Sequence, residues 1–419
     1  MTAGMSQTRK RRMPVGLRGC LLGAMAVTAA WSVGFAGAAT PAVAADVQSK
    51  QWYLGPMHSK EMWKVTTGEG IKVAVIDSGV NPSTSSLKGQ VLKGFDATGA
   101  DGDEFDDYDG HGTTMAELIA GTGKGGGLQG LAPGAKIIPF RVTDTEFQNK
   151  HSVNANDTED AIRAAADSDA RIISMSMASD FPGRGEREAV KYAESKGKLF
   201  IAGVGNNAKE GNKEQFPASY PQVVGVAATD STGKASEYSQ HGNSVDIAAP
   251  GDDIPYWCDK TFRGYCYGDG GTSAATAIAS ASAALIWSAH PDWTANQVLN
   301  VLFDTAGRGD WKKGTLSNYL GHGIIRPAIN ILKGKGNPGA PDISPLTKEK
   351  TSGSSASPAA SAPGSSQPQK KEAAGDAVVA GSSNEKDDGS SLGLIIGGAA
   401  AVVVLGGGAF VLIRKRRTA

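Results

Sequence analysis

Residues 71–77 read Ile71-Lys72-Val73-Ala74-Val75-Ile76-Asp77, an apolar run rich in β-branched residues that ends on a carboxylate. Similar runs follow at residues 135–140, 171–176, 199–203 and 223–227. Runs that are apolar on both faces are typical of strands in a parallel sheet that is covered on both sides. Segments with helical spacing or Ala-rich composition lie between and after them, at residues 111–121, 157–166, 185–196 and 273–289. The alternation predicts an open, doubly wound, mostly parallel α/β sheet.

The N-terminal end of the chain predicts export. Residues 1–45 combine five basic residues in the first 18 positions with an Ala-rich apolar run and a small-residue end. That composition is typical of a signal peptide, and the paired arginines leave both the general and the twin-arginine routes open. The α/β domain, with a short N-terminal extension, is therefore expected to span residues 46–336.

The C-terminal end predicts a membrane anchor. Residues 337–391 are rich in Ser, Pro, Ala, Gly and Lys and are expected to form a flexible stalk. Residues 392–413 are 22 positions without a charge. At about 1.5 Å per residue they are long enough to cross a ~30 Å hydrocarbon core, with a buried core helix as the alternative. The basic tail at residues 414–419 is expected in the cytoplasm, which makes this a single-pass cell-membrane protein whose folded domain is extracellular.

The charge balance of the chain indicates which kinds of partner to expect. Lys plus Arg and Asp plus Glu both number 42, so that a net charge of zero gives no reason to expect a nucleic acid partner. The expected partners are proteins or peptides and the membrane.

Of the three cysteines, Cys20 lies in the predicted signal peptide, which leaves Cys258 and Cys266. An exported pair is expected to form a disulfide, with free thiols or a metal pair as alternatives.

Three polar residues stand where the predicted elements would bring them together. Asp77 ends the first strand, His111 begins a helix in Asp109-Gly110-His111-Gly112-Thr113, and Ser273 begins another in Gly270-Gly271-Thr272-Ser273-Ala274. Alone, each residue type is commonplace in such a position as a cap or a turn residue. Together they supply the nucleophile, the base and the group that orients the base, which amide hydrolysis needs. The set predicts a serine hydrolase.

With this order and these motifs, the chain resembles the subtilisin-like serine peptidases, the subtilases, over about residues 52–332. The resemblance implies an endopeptidase without a cofactor, in which Asp77 orients the ring of His111, the general base and acid, and Ser273 is the nucleophile. It also implies that the Asn206 side chain donates to the oxyanion together with the Ser273 N–H. Asn207 is the alternative if the register shifts by one residue.

The resemblance further implies a strand along which the extended substrate lies, formed by Ser174, Ser176, Met177 and Ala178. The family usually has glycine where Ala178 stands, so small to medium side chains are expected in the main specificity pocket. Two more departures flank the triad: Thr114 stands where the family usually has His, and Ala274 stands where it usually has Met. Neither departure removes a catalytic group.

No metal site is expected. The loop at residues 123–129, where many subtilases bind calcium, offers no carboxylate. The acidic run at residues 101–109 could bind calcium or favour basic substrates, but a solvated loop is the expected structure.

The domain organisation as a whole resembles that of the mycosins, subtilases associated with type VII secretion. The distance from Ala45 to Asp77 is too short for the long inhibitory pro-domain that many subtilases carry. The resemblance implies cleavage of secreted substrates or system components at the membrane, with type VII secretion components as partners. A general cell-surface subtilase and a non-catalytic scaffold of a secretion complex are the alternatives, and the complete set of Asp77, His111, Asn206 and Ser273 argues against the scaffold.

Overall fold

A parallel sheet runs through the part of the chain that the computed structural model describes, which is residues 44–151, 157–268 and 270–351. In these residues the sheet has seven strands, β1 (Lys72–Asp77), β2 (Phe95–Asp96), β3 (Lys136–Arg141), β4 (Ile172–Met175), β5 (Leu199–Gly203), β6 (Val224–Thr229) and β7 (Ile247–Pro250). Their order is β2-β3-β1-β4-β5-β6-β7, and every pairing is parallel. Strands β8 (Tyr256–Trp257) and β9 (Tyr265–Cys266) form a separate antiparallel hairpin. The sequence predicted five of the seven strands and missed β2 and β7.

Helices cover both faces of this sheet. They are α1 (Ala44–Ser49), α2 (Ser59–Met62), α3 (His111–Ala120), α4 (Thr145–His151), α5 (Asp157–Asp167), α6 (Arg184–Ser195), α7 (Thr272–Ala289), α8 (Ala295–Thr305) and α9 (Pro327–Ile331). Successive residues of β1 point to opposite faces, so that Val73 and Val75 pack in the core with α3, α7 and α8, whereas Ala74 and Ile76 pack with α5 and α6. The doubly wound α/β prediction is confirmed.

Helix α7 is the central core helix. Of the helices in the described residues it is the one long and apolar enough to cross a membrane, yet 83% of that apolar window is buried inside the domain. Its buried positions are mostly Ala, Ser and Thr, small side chains that let the helix lie close to the sheet. The predicted anchor at 392–413 lies outside the described residues, as do residues 1–43 of the signal peptide, residues 352–391 of the stalk and the tail at 414–419.

The strand order creates a crevice at the carboxyl edge of the sheet. Strand β1 lies between β3 and β4, so the chain continues to one side of β1 through β2 and β3 and to the other side from β4 onwards. At this reversal point Ile76 pairs with Met175, and Met175 pairs with Ala202 on β5. The segments that follow these strands therefore converge, which is where open α/β sheets bind ligands.

The packed domain extends beyond the expected boundary at residue 336. Residues 337–351 lie against helix α8, and three side chains there donate hydrogen bonds to backbone carbonyls of the segment: Thr294 and Asn296 to Pro341 at 2.8 and 3.0 Å, and Asn300 to Pro338 at 3.1 Å. The composition of the segment suggested a stalk because it is polar and Pro-rich. Its carbonyls nevertheless find partners on a helix more than 30 residues earlier.

We expect a truncation that ends at residue 336 to be less stable than one that ends at residue 351 by about 2–5 kcal/mol, because a net hydrogen bond contributes about 1 kcal/mol and five are lost. They are the three above, the bond from Asn296 to the Thr351 hydroxyl and the bond from the Asn337 N–H to Asp304. Urea unfolding of the two truncations measures the difference. Asn296→Ala should weaken the longer chain and leave the shorter one unchanged. Equal stability of the two truncations would show that the boundary lies at residue 336 after all.

Candidate active site

Asp77 and His111 are in direct contact at the carboxyl edge of the sheet. Asp77 is the last residue of β1 and is fully buried, and His111 is the first residue of α3. The Nδ1 atom of His111 lies 2.7 Å from Oδ1 of Asp77, and about a third of the His111 side chain, 32%, is exposed. A carboxylate at this distance fixes the orientation of the ring and leaves Nε2 as the nitrogen for proton exchange.

Glycine is required at position 112 because α3 begins so close to β1. A Cβ atom there would lie 2.2 Å from the carbonyl oxygen of Gly79 and 3.0 Å from Cβ of Asp77. Any side chain would therefore force the backbone to shift and would move His111 away from Asp77.

Asp107 closes the turn that carries His111. Its carboxylate is 6% exposed. Oδ1 accepts hydrogen bonds from Ser78 Oγ at 2.8 Å and from the Gly110 N–H at 2.7 Å, and Oδ2 accepts from the N–H and the hydroxyl of Thr113 at 2.8 and 2.6 Å. A buried carboxylate with this many donors is a structural clamp. The sequence showed Asp107 only as one member of the acidic run.

Ser78 connects this clamp to the histidine pair. Its hydroxyl lies 3.2 Å from Oδ1 of Asp77 and accepts a hydrogen bond from the Gly112 N–H at 3.0 Å. The expected solvated loop at residues 101–109 is wrong for two of its members, since Asp107 and Glu104 are both buried. Glu104 accepts a hydrogen bond from a backbone N–H as well. Their role in the structure is to order the loop.

The carboxylates around His111 set its proton affinity. Burial acts to lower the pKa of His111, but the charge of Asp77, its hydrogen bond and the charges of Asp109 and Asp107 outweigh burial and raise the pKa to about 9. Asp109 is exposed to solvent, and the partial desolvation of its carboxyl raises the pKa of this group. A base of this kind works in its neutral form, so activity that depends on it must rise with pH through the His111 pKa.

Ser273 lies in the first turn of α7 and lines the same cavity as His111. Its hydroxyl donates a hydrogen bond to the carbonyl oxygen of Ser176 at 3.4 Å, and Ser176 Oγ donates to the Ser273 carbonyl at 3.3 Å. The N-cap of α7 is Gly271, so Ser273 is a helical residue and is not the cap that its sequence position suggested. Its N–H is one of the first-turn donors that lack a partner within the helix.

Asn206 is held beside Ser273 by the start of α7. Its Oδ1 accepts hydrogen bonds from the N–H and the hydroxyl of Thr272 at 2.8 and 3.0 Å. With Oδ1 engaged in this way, the NH₂ group is the part of the side chain that can donate to a ligand. Asn206 lines the cavity with His111 and Ser273, whereas Asn207 does not line it. The geometry favours Asn206 over Asn207.

The residues expected along the substrate divide into two groups. Ser176, Met177 and Ala178 follow the end of β4 and are partly exposed. Ser174 lies inside β4, where it pairs with Val75 on one side and Ile201 on the other, and it is 2% exposed. The prediction that Ser174 contacts the substrate is therefore wrong, because both edges of its backbone are already occupied.

Two cavities are lined by the predicted site residues. One, of about 300 Å³, is lined by His111, Asn206 and Ser273 together with β8 and the Cys258 that follows it. The other, of about 500 Å³, is lined by Met177, Ala178 and Phe216 among others. Cys258 and Cys266 are joined by a disulfide at the hairpin.

Comparison with known proteins identifies the family. The subtilase family profile matches residues 68–323, which is more than half of the chain. The chain belongs to the subtilase family. It is 32% identical to thermitase from Thermoactinomyces vulgaris over 278 residues, which cover 65% of this chain and 95% of thermitase. Subtilisin E from Bacillus subtilis is 34% identical over 243 residues, 57% of this chain and 61% of that protein. This subtilase is a subtilisin-like serine endopeptidase.

Among solved structures, this subtilase is similar to mycosins. The MycP3 protease from the type VII (ESX-3) secretion system matches with a TM-score of 0.57 and 30% identity, over 67% of this chain and 87% of that one. A serine protease MycP1, described as an essential component of the type VII (ESX-1) secretion system, matches with a TM-score of 0.56 and 30% identity, over 67% and 88%. The predicted resemblance to mycosins is confirmed.

Replacement of Asp109 with Asn should shift the rise of activity with pH to lower pH. The substitution removes a negative charge that favours protonated His111, so the His111 pKa falls and the neutral base appears at a lower pH. The pH dependence of kcat/KM for a peptide substrate measures the midpoint. Asp103→Asn, in the same loop, is the matched control and should leave the midpoint in place. An unshifted midpoint in the Asp109 variant would mean that this carboxylate does not act on the base.

Proposed function

We propose that this subtilase hydrolyses peptide bonds of protein substrates through an acyl-enzyme formed on Ser273. The observation that carries the proposal is the 2.7 Å contact between His111 and Asp77 at the cavity that Ser273 lines. As Ser273 Oγ attacks the scissile carbonyl, Nε2 of His111 takes its proton, and Asp77 stabilises the imidazolium that forms. The buried position of Asp77 strengthens this stabilisation, because charges interact more strongly away from water.

The oxyanion of the tetrahedral intermediate is expected to accept hydrogen bonds from Asn206 Nδ2 and from the Ser273 N–H. Thr272 supports this role of Asn206, since it holds the amide oxygen and so orients the NH₂ group. The N-terminus of α7, an 18-residue helix, adds the positive end of its dipole. His111 then returns the proton to the leaving amine, and water cleaves the acyl-enzyme by the same route in reverse.

The acyl side of the substrate is expected to lie along residues 176–178, as an extended strand that pairs with their backbone. The cavity of about 500 Å³ beside Met177 and Ala178 would take a side chain from this part of the peptide. Because Ala178 carries a methyl group where glycine is usual in the family, we expect small to medium residues there.

Ser273→Ala should abolish peptide cleavage and labelling by a fluorophosphonate, since both need the Ser273 hydroxyl. The free energy of unfolding should change by less than about 0.5 kcal/mol, because Ser273 is not the N-cap of α7. Activity assays and thermal unfolding measure the two effects.

Ser280→Ala is the matched control, a buried serine on the same helix, and it should keep both cleavage and labelling. If the wild-type protein neither reacts with the fluorophosphonate nor cleaves any peptide, the scaffold hypothesis takes the place of the enzyme.

We further propose that the peptidase domain acts at the outer face of the cell membrane in connection with type VII secretion. The charge-free stretch at residues 392–413 and the basic tail after it support a single-pass anchor with a cytoplasmic C-terminus. The likeness to MycP3 and MycP1, whose descriptions place them in type VII systems, supports the connection with secretion. The expected partners are the components or secreted substrates of such a system.

Deletion of residues 392–419 should move active enzyme from the membrane fraction to the soluble exported fraction, because the anchor and the folded domain are separate segments. Cell fractionation followed by a peptidase assay measures the change. Deletion of residues 414–419 alone is the matched control and should leave the enzyme in membranes.

The same cells report on secretion. If the peptidase is linked to secretion, cells that lack this protein should fail to export specific proteins. The wild-type protein should restore their export, and the Ser273→Ala variant should not. If the variant without residues 392–419 stayed in membranes, the proposed anchor would be wrong. If the set of exported proteins did not change, a general surface protease would be favoured.

A further inference from the structure

The disulfide of the β8–β9 hairpin lies next to the turn that carries His111. Cys258 directly follows β8 and lines the cavity of about 300 Å³ together with His111, whereas Cys266, the last residue of β9, does not line it. A Cβ atom on Gly110, the residue before His111, would lie 2.9 Å from the carbonyl oxygen of Asp259. The backbone that follows Cys258 is therefore packed against the turn of the histidine.

The two cysteines differ in their exposure to solvent. Cys258 is exposed, and Cys266 is only partly exposed. Thiol–disulfide exchange begins when a thiolate attacks one sulfur atom of the disulfide, so the more accessible sulfur reacts faster. A thiolate from solution is thus expected to attack Cys258, which is the cysteine beside the cavity.

The disulfide restrains only a short part of the chain. It joins two residues of one hairpin that are eight positions apart, and the strands of that hairpin have two residues each. A disulfide that closes so short a loop restricts the unfolded chain less than one that joins distant segments. Opening of this disulfide is therefore expected to leave the domain folded.

Hydrogen bonds to α3 hold both strands of the hairpin independently of the disulfide. The Trp257 N–H donates to the Thr114 hydroxyl at 3.0 Å, and the Tyr265 hydroxyl donates to the buried carboxyl group of Glu117 at 2.7 Å. The rings of Trp257 and Tyr265 also stack, with their centres 3.9 Å apart. These contacts keep the two sulfur atoms near each other after the disulfide opens, which gives the released thiol a high effective concentration for closing the ring again.

We propose that the Cys258–Cys266 disulfide is a site of reversible modification by small thiols, in which the group that becomes attached to Cys258 obstructs the cavity beside His111. The inhibition of peptide cleavage rests on the proposed function. The exchange itself needs no catalysis by this protein.

The exchange needs no external oxidant. The thiolate of a small thiol attacks Sγ of Cys258, a new S–S bond forms there as the bond to Cys266 breaks, and Cys266 leaves as a thiolate that takes a proton from water. The product has a mixed disulfide at Cys258 and a free thiol at Cys266. When the small thiol is removed from solution, the Cys266 thiolate attacks Cys258 and expels the small thiolate, which restores the original disulfide.

A group attached to Cys258 would occupy space that a substrate needs. The cavity of about 300 Å³ corresponds to roughly ten water molecules at liquid density, so even a small group takes up a large part of it. Ser273 and Asn206 line the same cavity. The added group and the peptide would therefore compete for one site.

Two single-cysteine variants compare the two positions. Cys266→Ser leaves one thiol at Cys258, and Cys258→Ser leaves one at Cys266. A methanethiosulfonate reagent attaches the same benzylthio group to either thiol, and each variant is assayed before and after the reaction, so the loss of the disulfide is common to both assays. Modification of Cys258 should lower kcat/KM for a peptide substrate by at least about 10-fold, because the group prevents correct placement of the peptide. Modification of Cys266 is the matched control and should leave kcat/KM close to its value before the reaction.

The wild-type protein tests the exchange directly. After incubation with 2-mercaptoethanol, peptide mapping by mass spectrometry should find the mixed disulfide at Cys258 and a free thiol at Cys266. Removal of 2-mercaptoethanol should restore both the disulfide and the activity. The double variant Cys258→Ser and Cys266→Ser should not respond to the thiol, and thermal unfolding shows that each form is folded.

Three outcomes would overturn the inference. They are equal inhibition by the benzylthio group at the two positions, a wild-type mixed disulfide located at Cys266, and unfolding of the domain when the disulfide opens. If the wild-type protein cleaves no peptide before any thiol is added, the proposed function fails and the inhibition fails with it. Peptide mapping then still decides whether Cys258 is the site of exchange, because it needs no peptidase activity.

Discussion

A buried carboxylate at the end of β1 is the constraint on which the rest of the site depends. Removal of an ionised carboxylate from water costs several kcal/mol unless donors replace the lost hydration. Around Asp77 the donors are the Ser78 N–H at 2.8 Å and the ring of His111 at 2.7 Å. The His111 contact requires the end of β1 and the first turn of α3 to lie close together. Glycine at position 112 and the clamp made by Asp107 are consequences of that close approach.

Small residues allow helix α7 to lie close enough to the sheet to place Ser273 and Thr272 in the site. Helix α7 contributes Ser273 and Thr272, and it must run beneath the ends of β4 and β5 to bring them to His111. Gly203, the last residue of β5, has no room for a side chain, since a Cβ would lie 2.8 Å from the Thr272 hydroxyl. The Ala-rich composition of α7 serves the same close packing. A more usual amphipathic helix would stand further from the sheet and would move the Ser273 backbone away from Asn206.

The β8–β9 hairpin is positioned by the helix that carries His111. The side chains of Asp77, His111 and Ser273 lie at the ends of β1, α3 and α7, whereas part of the wall around them comes from residues 254–258. Because the hairpin is bonded to α3 through Thr114 and Glu117, its position follows that of His111.

The sequence alone determined those features that depend on local pattern or on residue type. Five of the parallel strands, the four helices that pack beside them and the Asp77, His111 and Ser273 set are readable because strand and helix periodicity is local and because few residue types can supply this chemistry. Strands β2 and β7 were missed because they have only two and four residues, too few to show a clear hydrophobic pattern. The disulfide partners followed from the number of cysteines that remained.

Only the tertiary structure decided the features that depend on partners distant along the chain. Thr114 and Trp257 are 143 positions apart, and no local pattern relates them. The same reason explains why Asp107 was expected in solvent, why Ser174 was assigned to the substrate, and why residues 337–351 were assigned to a stalk. In each case the burial of a residue depends on segments that are distant along the chain and pack against it. A local sequence pattern does not show which segments these are.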